Sequence, residues 1–195
     1  EKKESKLDKE QEEDLKSVFN LKVKSKEVYN VVAETLDEND APVIITQSEF
    51  MRRMKEMSQM GGGMNFYGEL PDSFNIVVNL NHPLIMKIAD DLKEKAGDKL
   101  KENSAETTRL KDEISFMENE HKKKKADEIS QFEKDDLEKL RKELETQDNA
   151  RKDILADYGS GNKVVNQLLD LALLANNMLR GEELSTFVKR SVELL

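Results

Sequence analysis

The 195-residue sequence contains no cysteine, only two histidines and only three prolines. Without cysteine there is no disulfide framework, no thiolate metal site and no thiol nucleophile, which suits a reducing compartment. His82 and His121 lie far apart in the chain, so imidazole clusters are excluded too. The longest apolar run, around Leu168 to Ala175, falls well short of the about 18 residues a membrane-spanning helix needs, and no signal peptide opens the chain. A soluble, cytoplasmic protein is the expectation. Positive charge is also in deficit: 32 Lys and Arg stand against 41 Asp and Glu, a net charge of −9. That sign opposes attraction to phosphate backbones or anionic lipid, and no aromatic and basic residues interleave, so neither nucleic acid nor membrane is expected as a partner. The chain begins at Glu1, without Met and inside a charged stretch, and reads as a piece of something longer.

What is abundant is charge of both signs, 37% of all residues against about 25% in a typical globular protein. Its distribution gives the organisation. Between Asp90 and Asp157, 37 of 68 residues are charged, without a proline and without a glycine after Gly97, whereas the remaining 127 residues carry 36 charges. Lacking breakers, this stretch predicts long helix. Leu110, Ile114 and Met117 recur at spacings of four and three, as do Leu137, Leu140 and Leu144, with Ile129 and Phe132 extending the pattern. One narrow apolar stripe on a charged helix suits pairing with a single other helix. The stripe is blank from His121 to Asp127, so an antiparallel, coiled-coil-like arm turning there is expected. A single solvated helix or a partly disordered linker is the alternative. Asn103 followed by Glu106 matches a capping box, which would interrupt the first limb.

Before the arm, helix is expected from about Glu10 to Leu21, then strands over Glu27–Leu36, Val43–Thr46 and Phe74–Leu80, with Phe74, Ile76, Val78 and Leu80 on one face. Pro83 reads as the first position of a helix carrying Leu84, Ile85, Ile88 and Leu92. Between the second and third strands, Ser48 is a plausible N-cap for an amphipathic helix Glu49–Met60 with Phe50, Met51, Met54, Met57 and Met60, ending at Gly61-Gly62-Gly63. A methionine stripe is ordinarily core filler. Five of the eight methionines gather here, counting Met64, and flexible thioethers also suit an adaptable binding surface. The glycine triplet is no phosphate loop, because no Gly-Lys-Ser/Thr follows it.

After the arm, Gly159-Ser160-Gly161 reads as a break and Asn162 as the cap of a helix extending to Leu179. Arg180-Gly181 reads as its C-cap, and a last helix runs from Glu182. Both helices carry more apolar surface than one fold needs: Val164, Leu168, Leu171, Leu174, Ala175 and Met178 on the first, Leu184, Phe187, Val188, Val192 and Leu195 on the second. A dimeric four-helix bundle is the expected solution, with capping of the chain's own sheet as the alternative. The fold class is α+β, divided as 1–94, an inserted arm 95–158, and dimerisation helices 159–195. No catalytic residue, cofactor site or metal site is expected: His82 suits a turn or cap, and His121 lies in the charged arm.

The stretches Ala41-Pro42-Val43-Ile44-Ile45, Ser48-Glu49-Phe50-Met51-Arg52-Arg53-Met54 and Val78-Asn79-Leu80-Asn81-His82-Pro83-Leu84-Ile85, with Leu168-Leu169-Asp170-Leu171-Ala172-Leu173-Leu174-Ala175 and Phe187-Val188-Lys189-Arg190, resemble the C-terminal domain of the ninety-kilodalton heat-shock chaperones of the bacterial high-temperature protein G type. The likeness covers roughly 10–95 and 160–195. It implies a homodimer held by the last two helices, ATP bound by an N-terminal domain not in this chain, and unfolded client proteins meeting Phe50, Met51, Met54, Met57 and Met60. The charged arm departs from the family pattern, and since the sequence as given stops at Leu195 without the acidic tail of eukaryotic relatives, partners that bind such a tail are not implied. A scaffold that recruits a protein through the arm is the alternative function.

Overall fold

The computed structural model describes residues 5–20, 28–47, 49, 52–53, 57, 73–125 and 128–194. Five helices and three strands are described among them: α1 (Lys9–Phe19), β1 (Val28–Glu34), β2 (Val43–Gln47), β3 (Ser73–Asn79), α2 (Pro83–Lys123), α3 (Gln131–Gly161), α4 (Lys163–Ala175) and α5 (Gly181–Glu193). They fall into two compact units: Glu1–Asp91 with Tyr158–Leu195, and Leu92–Asp157.

The first unit is α+β. Its helix α1 opens on a capping box, in which Asp8 accepts from the Gln11 amide at 2.9 Å and the Gln11 side chain accepts from the Asp8 amide at 3.0 Å. Two orphan N–H groups are thereby satisfied, and the helix presents Leu15, Val18 and Phe19, all essentially inaccessible, to β1 and α4. The sheet has the order β1-β3-β2, with β3 parallel to β1 and antiparallel to β2. A parallel neighbour demands a long connection, and the chain between β1 and β3 supplies it. The register pairs Tyr29 with Phe74, Val31 with Ile76 and Ala33 with Val78, while Val43 and Ile45 meet Val78 and Ile76 from the other side. Alternation therefore sends Phe74, Ile76 and Val78 to one face, where the Tyr29 and Phe74 rings stack with centroids 5.8 Å apart. Ile76 and Val78 are buried, each contributing about 1.5–3 kcal/mol of apolar burial. Helix α4 lies on β2 with Val165, Leu168, Leu169, Ala172 and Leu173 inward, and α5 packs on α4.

His82 closes the sheet-to-helix junction. Its Nδ1 accepts from the Leu84 amide at 3.1 Å and its carbonyl from the Ile85 amide at 2.9 Å, so it caps α2, and Pro83 follows at the first helical position, where its missing N–H costs nothing.

The second unit is an antiparallel pair formed by the distal parts of α2 and α3, joined through residues 124–130. Leu110, Ile114, Leu137 and Leu140 form its apolar core, with Met117 and Leu144 packed against them. Partners climb one limb as they descend the other: Asn103 to Gln147, Glu118 to Arg141, Lys124 to Glu133.

Four boundaries differ from expectation. Helix α2 continues unbroken through Asn103, whose side chain is buried and donates to the Gln147 carbonyl at 2.8 Å and to its Oε1 at 2.9 Å. An amide with a partner on the opposite limb has no cause to turn back on its own backbone. Gly159 and Gly161 sit inside α3, and the break falls at Asn162, whose Oδ1 accepts from the Val164 and Val165 amides at 2.9 and 3.1 Å. Helix α4 stops at Ala175 rather than Leu179: Asn177 takes a left-handed φ of 57°, while the Met178 amide reaches Leu173 O at 2.9 Å and the Asn177 amide reaches Leu174 O at 3.0 Å. Paired 6→1 and 5→2 bonds of this kind end a helix with Asn in place of Gly. Gly181, read from sequence as part of a C-cap, instead begins α5 at φ 59°, a conformation costly for any residue with a Cβ.

Candidate functional site

On the outward side of α4 and α5 several apolar side chains remain open to water. Among the residues expected there, Leu168 is 6% exposed and belongs to its own chain's core. Val164, Leu174, Met178, Leu184 and Phe187 are half-buried, and Ala175 is exposed. Leu171 is 49%, Val188 52% and Val192 69% exposed, while Leu195 lies outside the described residues. No described residue of α5 is fully buried. A helix of about three and a half turns does not persist alone in water, so its attachment to α4 matters.

Polar links supply much of that attachment. Arg190 donates from Nε to Gln167 Oε1 at 2.9 Å and pairs with Asp170 through its terminal nitrogen. Gln167 in turn donates to Ser191 Oγ at 2.7 Å, and Lys163 meets Glu193 at 2.7 Å. The Lys163 hydrogen bond holds the Glu193 carboxyl below the usual carboxylate range. Fixing the polar edges of α5 in this way leaves Val188 and Val192 presented at defined positions. Sequence reasoning assigned no role to Gln167, Asp170 or Arg190, although a lone Asp inside the run Leu168–Ala175 was a signal that one side of that helix carries polar work.

The α3–α4 junction is held by a second polar group. The Tyr158 hydroxyl lies 2.8 Å from Asp91 Oδ2 and 3.1 Å from the Ile88 carbonyl, and Asn162 Nδ2 donates to it at 2.9 Å. Burial, and then the hydrogen bond to Asp91, push the Tyr158 phenol well above its ordinary range, so it serves as a fixed donor.

In the segment between β2 and β3, Glu49, Arg52, Arg53 and Met57 are helical, and Arg53 pairs with Glu49 one turn away. Met57 is 71% exposed. Phe50, Met51, Met54 and Met60 lie outside the described residues, as do Ser48 and the glycine triplet.

Among the described residues no group of three or more His, Asp and Glu side chains is placed to hold a metal ion, and no helix is long and apolar enough to cross a membrane. Fold and surface together define an α+β unit whose chain is interrupted by a charged helical hairpin and whose two closing helices leave Leu171, Val188 and Val192 open to water. Its relatives give the family. The chain is 45% identical over 167 residues to chaperone protein HtpG of Bacteroides thetaiotaomicron, a match covering 86% of this chain and 24% of that protein. It is 43% identical over the same length to HtpG of Bacteroides fragilis, and 42% identical over 170 residues to HtpG of Porphyromonas gingivalis. No family model matches the chain, and no solved structure does. The chain belongs to the HtpG branch of the ninety-kilodalton heat-shock chaperones and spans about a quarter of the length of these relatives.

Proposed function

We propose that this chain is the C-terminal dimerisation and client-binding part of an ATP-dependent, cytoplasmic chaperone that assists folding under stress, itself without catalytic chemistry. The observation that carries this reading is the exposed apolar surface of Leu171, Val188 and Val192 on two closing helices of a chain related to HtpG. Two copies joined there would hold their ATP-binding domains, supplied elsewhere in the full-length protein, at high effective concentration. Met57, helical and open to water, supports a second contact, in which an adaptable apolar helix meets unfolded segments.

The test uses the full-length chaperone and heat-unfolding citrate synthase as client, read by light scattering. Substituting Met54→Glu with Met57→Glu raises client aggregation toward that without chaperone, whereas deleting Lys99 to Asp153 leaves suppression intact. The reverse pattern would overturn client capture by the methionine helix and favour a scaffold acting through the hairpin.

A further inference from the structure

In the Leu92–Asp157 unit the apolar residues obey one rule with two exceptions. Leu110, Ile114, Leu137 and Leu140 face the opposite limb and are buried, and Met117 and Leu144 are packed against them. Phe116 and Phe132, by contrast, are 67% and 78% exposed. They are the largest apolar side chains in the unit, and the hairpin core is complete without them. Their surroundings are alike. One turn before Phe116 stand Asp112 and Glu113, and one turn after it stands Glu120; Asp135 and Asp136 stand one turn after Phe132. Side chains three and four residues apart on a helix are surface neighbours, so each ring sits in an acidic collar. Part of that charge is answered internally, since Arg109 pairs with Glu113 at 2.8 Å and Lys123 with Glu120 at 2.6 Å, while Gln131 donates to Asp135 at 2.8 Å and leaves its charge in place. Asp112 and Asp136 are exposed on the same faces.

From this geometry we infer that the hairpin is a protein-docking surface in its own right, with Phe116 and Phe132 as aromatic anchors for a polypeptide that presents apolar side chains among Lys and Arg. Aromatic anchors supply most of the affinity at such surfaces, while charge of opposite sign around them steers encounter and selects the partner. The acidic collars disfavour an acidic partner. The residues of this surface belong to the Leu92–Asp157 unit, whereas the closing helices belong to the other unit, and the test reads substitutions in the hairpin alone.

The experiment measures fluorescence anisotropy of a labelled amphipathic helix built from leucine and lysine, titrated with the full-length chaperone, beside a leucine–glutamate helix of equal length. Binding of the lysine helix, weakened roughly tenfold or more by Phe116→Ser with Phe132→Ser, is the expected result. Replacing Asp112, Asp135 and Asp136 by Asn weakens it further at low salt than at high salt. Both rings are solvent-facing, so helicity by circular dichroism stays unchanged in the serine variants. Affinity that survives loss of both rings would reduce the effect to the −9 net charge of the chain and overturn the proposal. Equal binding of the glutamate helix would do so as well, as would a fall in the chaperone's own solution mass in the serine variant, which would make a second copy the occupant.

Discussion

A single buried amide organises the sheet's far end. Asn79 is fully buried; its Oδ1 accepts from the Leu36 amide at 3.2 Å and the Asn81 amide at 3.1 Å, and its Nδ2 donates to the Asp37 carbonyl at 2.7 Å. Asn81 reinforces the same loop by donating to the Leu36 carbonyl at 3.0 Å. The turn that leaves β1 is thus tied to the exit of β3 by side chains more than 40 positions away. Asn79→Leu removes the partner of the half-buried Leu36 and Asn81 amides and of the Asp37 carbonyl, and cuts the turn loose from β3, at about 1 kcal/mol for each bond lost, so the denaturant midpoint falls. Asn81→Ala, on a half-buried residue, has a smaller effect. Equal small effects for both, measured by urea unfolding, would show that water replaces Asn79 without loss.

Among the elements, the hairpin shows how a charged segment is made specific. Its apolar seam is narrow, and the buried Asn103–Gln147 contact allows one alignment of the two limbs, since an offset would leave an amide unpaired in the seam. At the closing end, Lys124 bonds to Glu133, while Ser130 donates to the same carboxylate from its amide at 2.9 Å and its hydroxyl at 3.0 Å. With the Lys124 contact as the leading cause, the Glu133 carboxyl is drawn from its ordinary 4.5 down to about 2. A depressed carboxyl stabilises the folded form above its unfolded value, and that stabilisation fades as pH falls from about 4.5 through about 2. Helicity of the hairpin followed by circular dichroism from neutral to acid pH should therefore drop in that window, most at low salt because the link is exposed, and Glu133→Gln should flatten the drop. An unchanged profile in the variant would assign the acid response to other groups, such as Glu118 beside Arg141. This element was the most legible part of the sequence, because two stripes with a blank between them fix a hairpin by periodicity alone. Asn103 was misread because its capping signature is local, while its partner lies 44 positions away. The same cause hid the parallel pairing of β1 with β3, and the end of α4 lay in Asn177 adopting a glycine-like φ, which Arg180-Gly181 obscured.

For the whole molecule, the sequence showed surplus apolar surface on the closing helices without telling which side chains the protomer itself consumes. Periodicity cannot assign an all-round apolar helix to one neighbour or another; burial does. Leu168, 6% exposed, packs inside its own chain, so Leu168→Asp puts an uncompensated charge into the core at a cost of several kcal/mol and reports on folding. Leu171, Val188 and Val192 are the positions that report on assembly, because their side chains are already in water in one copy. Under the proposed two-copy arrangement, Leu171→Asp with Val188→Asp and Val192→Asp leaves the circular dichroism and the unfolding midpoint of diluted protein unchanged, but halves the solution mass of the full-length chaperone by light scattering. Breaking the Arg190–Asp170 link with Asp170→Asn acts one step earlier, by loosening the hold of α4 on α5, so assembly should weaken with a temperature dependence that follows detachment of α5. A mass that stays at one copy for the unaltered chaperone, or at two copies after the triple change, would separate this helix pair from assembly and leave its exposed valines to a different partner.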